Sequence, residues 1–414
     1  MKQKIILLLN EYPYEAGEYS FIKTELEYLL KKHELVIISF SKTMDRKMHL
    51  DHRITLYHCI NRFGFIEKMY SVLKFIFSRV GWHELKEILK DKKDIIGRIY
   101  DSIAYYGCAL QTSRFVHLNK IISKKENIII YSYWFNEACL AFLLKKRKYK
   151  NCKVISRVHG YDLYNERKKH NRQPFRTYMN RQIDKLFFVG DSGFVYYSKH
   201  WDVMSNMKKY LIAPIGTENK STIDNITVPN KNFMRVVSCS DVIPLKRISL
   251  IIYALSEISD IDIEWIHFGD GAQMEELRQT AKKLLANKKN VKHCFYGYVP
   301  IQNIMSYYEK NFVDCFITTS ATEGAPVSIQ EAMSYGIPII ATAVGEIPNM
   351  IKGNGLLLPA NPTTEEIKKA LESLWNMQEQ GKMELRMQSR KLWEEKYNAI
   401  KNAERFIEEL AMIN

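Results

Sequence analysis

The chain lacks any cysteine pattern that could cross-link it. Its seven cysteines, at positions 59, 108, 139, 152, 239, 294 and 315, are scattered, odd in number and never spaced as C-x-x-C. Such spacing excludes a disulfide frame and a zinc site, and it predicts reduced thiols in a cytosolic protein. Apolar runs of 18 or more residues are also missing, so no helix is expected to span a membrane. The opening "MKQKIILLLNEYP" reads as a first buried strand and not as a leader. Its apolar run stops at Asn10 and Glu11, and no small-residue cleavage site follows. Acidic residues are scarce in one half only. Residues 1–214 hold 39 Lys/Arg against 21 Asp/Glu, a balance of +18, whereas residues 215–414 hold 22 against 25. The excess gathers in "KKRKYK" (145–150) and "RKKHNRQPFR" (167–176). It suits an anionic partner or an anionic membrane face, and a merely solvated basic surface explains it as well.

What is present is an alternation of short apolar runs with longer amphipathic stretches, the pattern of βαβ units around parallel sheets. A length of 414 residues predicts two domains of roughly 200 residues each. Strands are expected at 4–10, 34–40, 127–134, 153–160, 185–191 and 210–216, then at 235–241, 261–271, 290–297, 313–320, 337–344 and 355–359. The polar stretch "TENKSTIDNITVPNKNF" (217–233) reads as a linker. This divides the chain into an α/β domain at 1–216 and a second at 234–395, with a closing helix at 396–414 expected to pack back toward the first. Two such Rossmann-like domains would face a central cleft, the default ligand site. A segment at about 64–124 breaks the rhythm with apolar and basic faces at helical spacing. An interfacial membrane helix looks like that, and so does core packing against the first sheet.

The stretch "EGAPVSIQE" (323–331) follows the apolar strand "VDCFITTS". Pro326 suits the first turn of a helix, and Gly324 lets a ligand approach the backbone. The N–H groups of Ala325, Pro326's successor Val327 and their neighbours, with a helix dipole behind them, would make an anion site. Glu323 lies in the loop; Glu331 lies one turn into the helix, on the side of Val327, where a carboxylate can hold a vicinal diol such as a ribose. A hydrolytic pair of carboxylates is poorly served by this placement, and an isolated E-x7-E is as readily two solvated glutamates. After "RVVSCSDVIPL", Lys246 and Arg247 are expected to open a helix and neutralise phosphate; a helix-surface basic pair is the plainer account. His159 ends a strand before Gly160. Gly17 and Glu18 follow the first strand, Gly269 and Gly271 line a turn in "FGDG", and Tyr298 stands two residues beyond "FY". The "DID" at 260–262 sits at the wrong end of a strand for a metal site.

Taken together, "EGAPVSIQEAMSYGIPIIATAVGE" resembles the signature of retaining GT-B glycosyltransferases of family 4. "RVVSCSDVIPLKRISLII", "FGDGAQMEELR", "FYGYVP", "RVHGYDLY" and "EYPYEAGEYSFIKTELEYL" resemble further landmarks in the same order, the last as found in capsule- and exopolysaccharide-type members. The resemblance covers most of the chain outside about 40–125. It implies a GT-B fold, transfer of a hexosyl-type sugar from a UDP- or GDP-sugar with retention, no metal and no further cofactor. The acceptor would be a glycan or a lipid-linked glycan of cell-surface polysaccharide biosynthesis, made in the cytoplasm and in peripheral contact with the membrane. Glu323, Lys246 and His159 would be the catalytic group, with His159 near the donor sugar and phosphate. The loop of Gly17 and Glu18 would line the cleft near the phosphates or the acceptor, Gly269 and Gly271 would be cleft-lining turns, and Tyr298 would neighbour the nucleobase. Where the family has Gly-Arg this chain has Ser240-Asp241, so Arg247 is the candidate to replace that arginine. Other readings are a nucleotide-sugar epimerase on the same scaffold and, ranked last, a basic nucleic-acid-binding protein; no nucleic-acid module is recognisable.

Overall fold

A computed structural model describes residues 2–15, 17–62, 64–123, 126–219 and 232–413. Within them the apolar runs become two parallel sheets. The first holds β1 (Lys4–Leu9), β2 (Glu34–Ser39), β3 (Thr55–His58), β4 (Ile128–Ser132), β5 (Cys152–Val158), β6 (Lys185–Phe188) and β7 (Tyr210–Ile212), in the order 3-2-1-4-5-6-7. The second holds β8 (Met234–Cys239), β9 (Ile263–Phe268), β10 (Val291–Phe295), β11 (Cys315–Thr318), β12 (Ile339–Thr342) and β13 (Gly355–Leu358), in the order 10-9-8-11-12-13. Strands such as β1 and β4 are buried on both faces. This is why they read as unbroken Ile/Leu runs and not as alternating ones. In each sheet the strand order reverses direction once, between β1 and β4 and between β8 and β11. Ligands of doubly wound sheets gather outside the carboxyl ends of the strands at such a reversal.

Packing divides the chain into two compact units, Met1–Ile215 with Ala403–Asn414, and Gly216–Asn402. Residues 220–231 of the expected linker lie outside the described residues. Its leading residue, Thr217, is folded into the second unit. It bridges to Asn398, and its hydroxyl accepts a hydrogen bond from Trp393 Nε1 at 2.8 Å. The last helix, Ala399–Ala411, gives Phe406 to the first unit, where it lies against Tyr131 and Phe187 at 5.1 and 5.0 Å. The buried guanidinium of Arg157 covers the same ring and pairs with Glu25 at 2.7 Å.

The stretch that breaks the sequence rhythm follows the edge strand β3 and holds three helices, Phe65–Ile76, Arg79–Asp91 and Ile95–Leu118. The third packs Tyr106, Ala109 and Val116 into the core under the first sheet. The first does the reverse, with only Ser71 and Phe75 buried. No helix of the described residues is long and apolar enough to cross a membrane.

The basic clusters are partly turned inward. Arg176 is buried and donates to the Phe135 and Asp162 carbonyls, Arg172 pairs with buried Glu84 at 2.8 Å, and Lys146 pairs with Asp184 at 2.9 Å. These basic side chains reach carbonyls and carboxylates, of which Glu84 would otherwise be a charge buried alone.

Candidate active site

The reversal of the second sheet carries the sharpest chemistry. Lys246 follows β8, Glu323 follows β11, and Lys246 Nζ stands 2.6 Å from Glu323 Oε1. Lys246 does not open a helix as its sequence context predicts. It ends a short 3-10 turn, Pro244–Lys246, and the helix begins only at Ser249. The reason is Arg247, which takes left-handed backbone angles (φ 49°) and turns the chain between the two. The turn lets Ala321 N donate to Leu245 O at 2.7 Å, and Thr319 Oγ1 reach the carbonyls of Lys246 and Arg247.

Arg247 is a strut. Its guanidinium donates to the carbonyls of Thr319, Ser320 and Ala360 and to Asn361 Oδ1, all within 2.9 Å. A planar fork with four of its five donors engaged joins the β8, β11 and β13 loops. The expectation that it substitutes for a phosphate-binding arginine therefore meets a side chain already spent on the loops.

The loop 319–326 is braced from below as well. Thr342 Oγ1 donates to Ser320 O at 2.6 Å, and Glu346 N donates to Gly324 O at 3.0 Å. Gly345 has φ +56°, and a Cβ there would stand 1.9 Å from the Glu323 carbonyl. Only glycine lets these two backbones meet. Gly324 is the opposite case, since a Cβ there would meet nothing within 4 Å. The space above it is open. Pro326 caps the helix Val327–Ser334 instead of occupying its first position, and no side chain caps that end. The N–H groups after Ala325 and Pro326, at Val327 and Ser328, therefore head a helix with no capping side chain to compete with an anion.

Glu331 lies on that helix, buried, with no hydrogen-bond partner for its carboxyl among the described residues. Burial alone pushes its pKa up from 4.5 to about 8. A carboxyl kept neutral near pH 7 has to give up its proton before it can accept from both hydroxyls of a diol as a carboxylate.

Gly269 and Gly271 shape the same end of the sheet through the backbone. Gly269 has φ +139°, and a Cβ would stand 1.8 Å from Ser240 O; at Gly271 it would stand 2.5 Å from Val242 O. Val242 N in turn donates to Asp270 O at 2.9 Å. Tyr298 is 81% exposed, on the loop after the edge strand β10, two strands away from β8. Its neighbour Gly297 pairs with Gly269, which ties this loop to the turn after β9.

In the first unit the reversal between β1 and β4 is occupied by Glu18. Its carboxylate accepts from Asn10 N, Glu11 N and Tyr12 N at 3.0–3.2 Å and from Trp134 Nε1 at 2.5 Å. Expected to face a ligand, it instead ties the loop after β1 to the end of β4. Gly17 precedes it on the exposed side of that loop.

His159, after β5, packs against Tyr133 and Trp134 at 4.7 and 4.5 Å, and its Nε2 stands 3.0 Å from Tyr133 O. A carbonyl only accepts, so Nε2 carries the proton and Nδ1 is left as an acceptor. Burial, and then the Arg157 charge, pull its pKa down from 6.5 to about 3. His159 is a neutral ring. Asp162, just beyond it in "RVHGYDLY", and Arg176, which no local pattern signals, hold it. Asp162 accepts from His159 N at 2.6 Å and Phe135 N at 2.5 Å, and Arg176 fixes the Asp162 carbonyl.

Residues 219–391 match the family described as Glycosyl transferases group 1. An uncharacterized glycosyltransferase of Haemophilus influenzae is 34% identical over 113 residues, which are 26% of this chain and 29% of that protein. The chain thus aligns with less than a third of that curated relative. Among solved structures, Anabaena HepE in complex with UDP superposes with a TM-score of 0.69 at 16% identity, covering 99% of this chain and 100% of that one. The lipopolysaccharide outer core galactosyltransferase WaaB superposes with a TM-score of 0.67 at 16% identity, covering 98% of each chain. The fold is GT-B. In this GT-B chain the group 1 segment contains Lys246, Glu323, Gly324, Glu331 and Gly345. The candidate site of the second sheet therefore falls wholly inside the matched region.

Proposed function

We propose that this chain is a glycosyltransferase that takes a hexosyl-type sugar from a nucleotide-sugar, UDP- or GDP-linked. The observation that carries the reading is the Lys246–Glu323 pair beside the open surface over Gly324, at the reversal of the second sheet. The diphosphate would lie on the N–H groups of Val327 and Ser328, the ribose diol on Glu331, and the sugar hydroxyls near Glu323. HepE in complex with UDP and with UDP-glucose supports a uridine donor.

In the reaction the bond from the sugar carbon to the leaving phosphate oxygen breaks, and charge grows on the diphosphate. Lys246 and the helix N-terminus are placed to stabilise that charge, which is the largest contribution a site of this kind makes. His159, a neutral ring whose two nitrogens already meet Tyr133 O and the Asp162 N–H, would not act as a cation. The first unit would take the acceptor, a glycan or lipid-linked glycan of surface-polysaccharide synthesis. Transfer would proceed with retention and without a metal.

A panel of nucleotide-sugars screened by thermal unfolding tests the donor. Only the bound one raises the midpoint, by an amount that grows with concentration over Kd. Protection by no nucleotide-sugar, or equal protection in Glu331→Ala, would sink the placement. Incubating the protecting donor without acceptor separates transfer from epimerisation, which would return an altered sugar still bound to nucleotide. EDTA should leave transfer intact.

A further inference from the structure

We propose that the outward face of the helix Phe65–Ile76 is a docking surface for an anionic lipid bilayer. At roughly 100° per residue, Phe65, Ile66, Met69, Tyr70, Leu73 and Ile76 fall in one stripe roughly 140° wide. Every one of them is exposed, Phe65 at 78%. Phe77, just past the helix, continues the stripe at 83% exposure. Ser71 and Phe75, the two buried positions, lie on the opposite side. A helix of a globular protein normally turns its wide apolar stripe inward and its narrow polar side out; this one is mounted the other way round.

The mounting is fixed, not slack. Phe75 packs edge-on against Tyr106 and Phe175 at 6.0 and 6.1 Å, so the core itself holds the stripe outward. The following helix, Arg79–Asp91, adds Trp82 and Leu89, both exposed, among exposed Arg79, Lys86 and Lys90. Lys92 and Lys93 follow directly. A contiguous apolar surface of this extent marks an interaction site. An exposed tryptophan with lysines around it is the composition that suits a headgroup boundary.

Charge decides the occupant. The half of the chain that carries the stripe holds the +18 excess, and Lys68 and Lys74 flank the stripe on its two sides. A second copy seated face to face would bring this positive half against itself. A bilayer with anionic headgroups receives both the apolar stripe and the lysines. The inference does not depend on sugar transfer, because binding is read without any donor.

The test is co-sedimentation of the full chain with phosphatidylcholine vesicles, with and without phosphatidylglycerol, at low and high salt. Wild type should pellet with the phosphatidylglycerol vesicles. The triple variant Ile66→Ser, Leu73→Ser, Phe77→Ser should bind at least about tenfold more weakly while melting as wild type does, since all three positions are exposed. Lys68→Glu with Lys74→Glu should remove the preference for phosphatidylglycerol. Three results would overturn the proposal: wild type that stays in the supernatant, a triple variant that pellets unchanged, or a dimer in solution that the triple variant dissolves. The last would place a second copy on the stripe.

Discussion

At the reversal of each sheet a carboxylate bridges the two central strand ends, and the two bridges are built for different ends. In the first sheet Glu18 joins the β1 loop to Trp134 beyond β4. It is 3% exposed and holds four N–H donors. In the second, Glu323 joins the β11 loop to Lys246 beyond β8 through one ion pair, whose side chains keep 11% and 23% of their surface. A carboxylate saturated by neutral backbone donors cannot release them without orphaning buried N–H groups. One held by a single lysine can be approached by a phosphate that offers the lysine a better partner. The same topology thus gives a closed knot in one unit and an open, exchangeable contact in the other.

The contrast breaks most visibly in activity. Lys246→Ala should lower kcat/KM for sugar transfer by roughly a hundredfold or more, the cost of removing one group that stabilises a developing oxyanion, while the melting midpoint moves little. Transfer within a few-fold of wild type would show that Lys246 is not the diphosphate's partner. Stability sharpens the same contrast at smaller size. Glu18→Gln turns an amide toward N–H donors and should cost about 2–3 kcal/mol of unfolding free energy. Glu323→Gln loses one ion pair but orphans no backbone N–H, and should cost less, about 1–2 kcal/mol. Denaturant titration of both variants measures the difference, and equal losses would erase the distinction.

The open contact was legible in the sequence and the closed one was not. Glu323, Gly324 and Glu331 stand in a short local motif at a strand-to-helix junction, so their neighbourhood is written within nine residues. Arg247 works through backbone carbonyls 72 to 113 positions away, and Glu18 through three backbone N–H groups 6 to 8 positions before it and an indole 116 positions after it. No side-chain pattern announces them. The helix after Lys246 starts three residues later than its sequence context predicts for a similar reason: Arg247 combines a positive φ with bonds to distant carbonyls, and neither shows in the local pattern. β3 escaped notice because a four-residue, half-buried edge strand carries too few apolar residues to show a period. The helix Phe65–Ile76 showed its amphipathic spacing plainly, but periodicity gives the existence of a stripe and never which way it faces.

Glu331 offers the finest comparison, because its two linked properties should run in opposite directions with pH. Folding raises its pKa from 4.5 to about 8, so between those values the folded chain holds a proton that the unfolded chain has released. Its contribution to stability is complete below pH 4.5 and is lost as pH rises through 8, at no more than about 1.4 kcal/mol per pH unit. A ribose diol that donates both hydroxyls favours the ionised carboxylate, so donor binding must expel that proton. Donor affinity should therefore rise from pH 6 to 8 while intrinsic stability falls. Glu331→Gln cannot ionise; it should flatten both curves together, and a donor Kd that keeps its pH slope in that variant would take the diol away from this side chain.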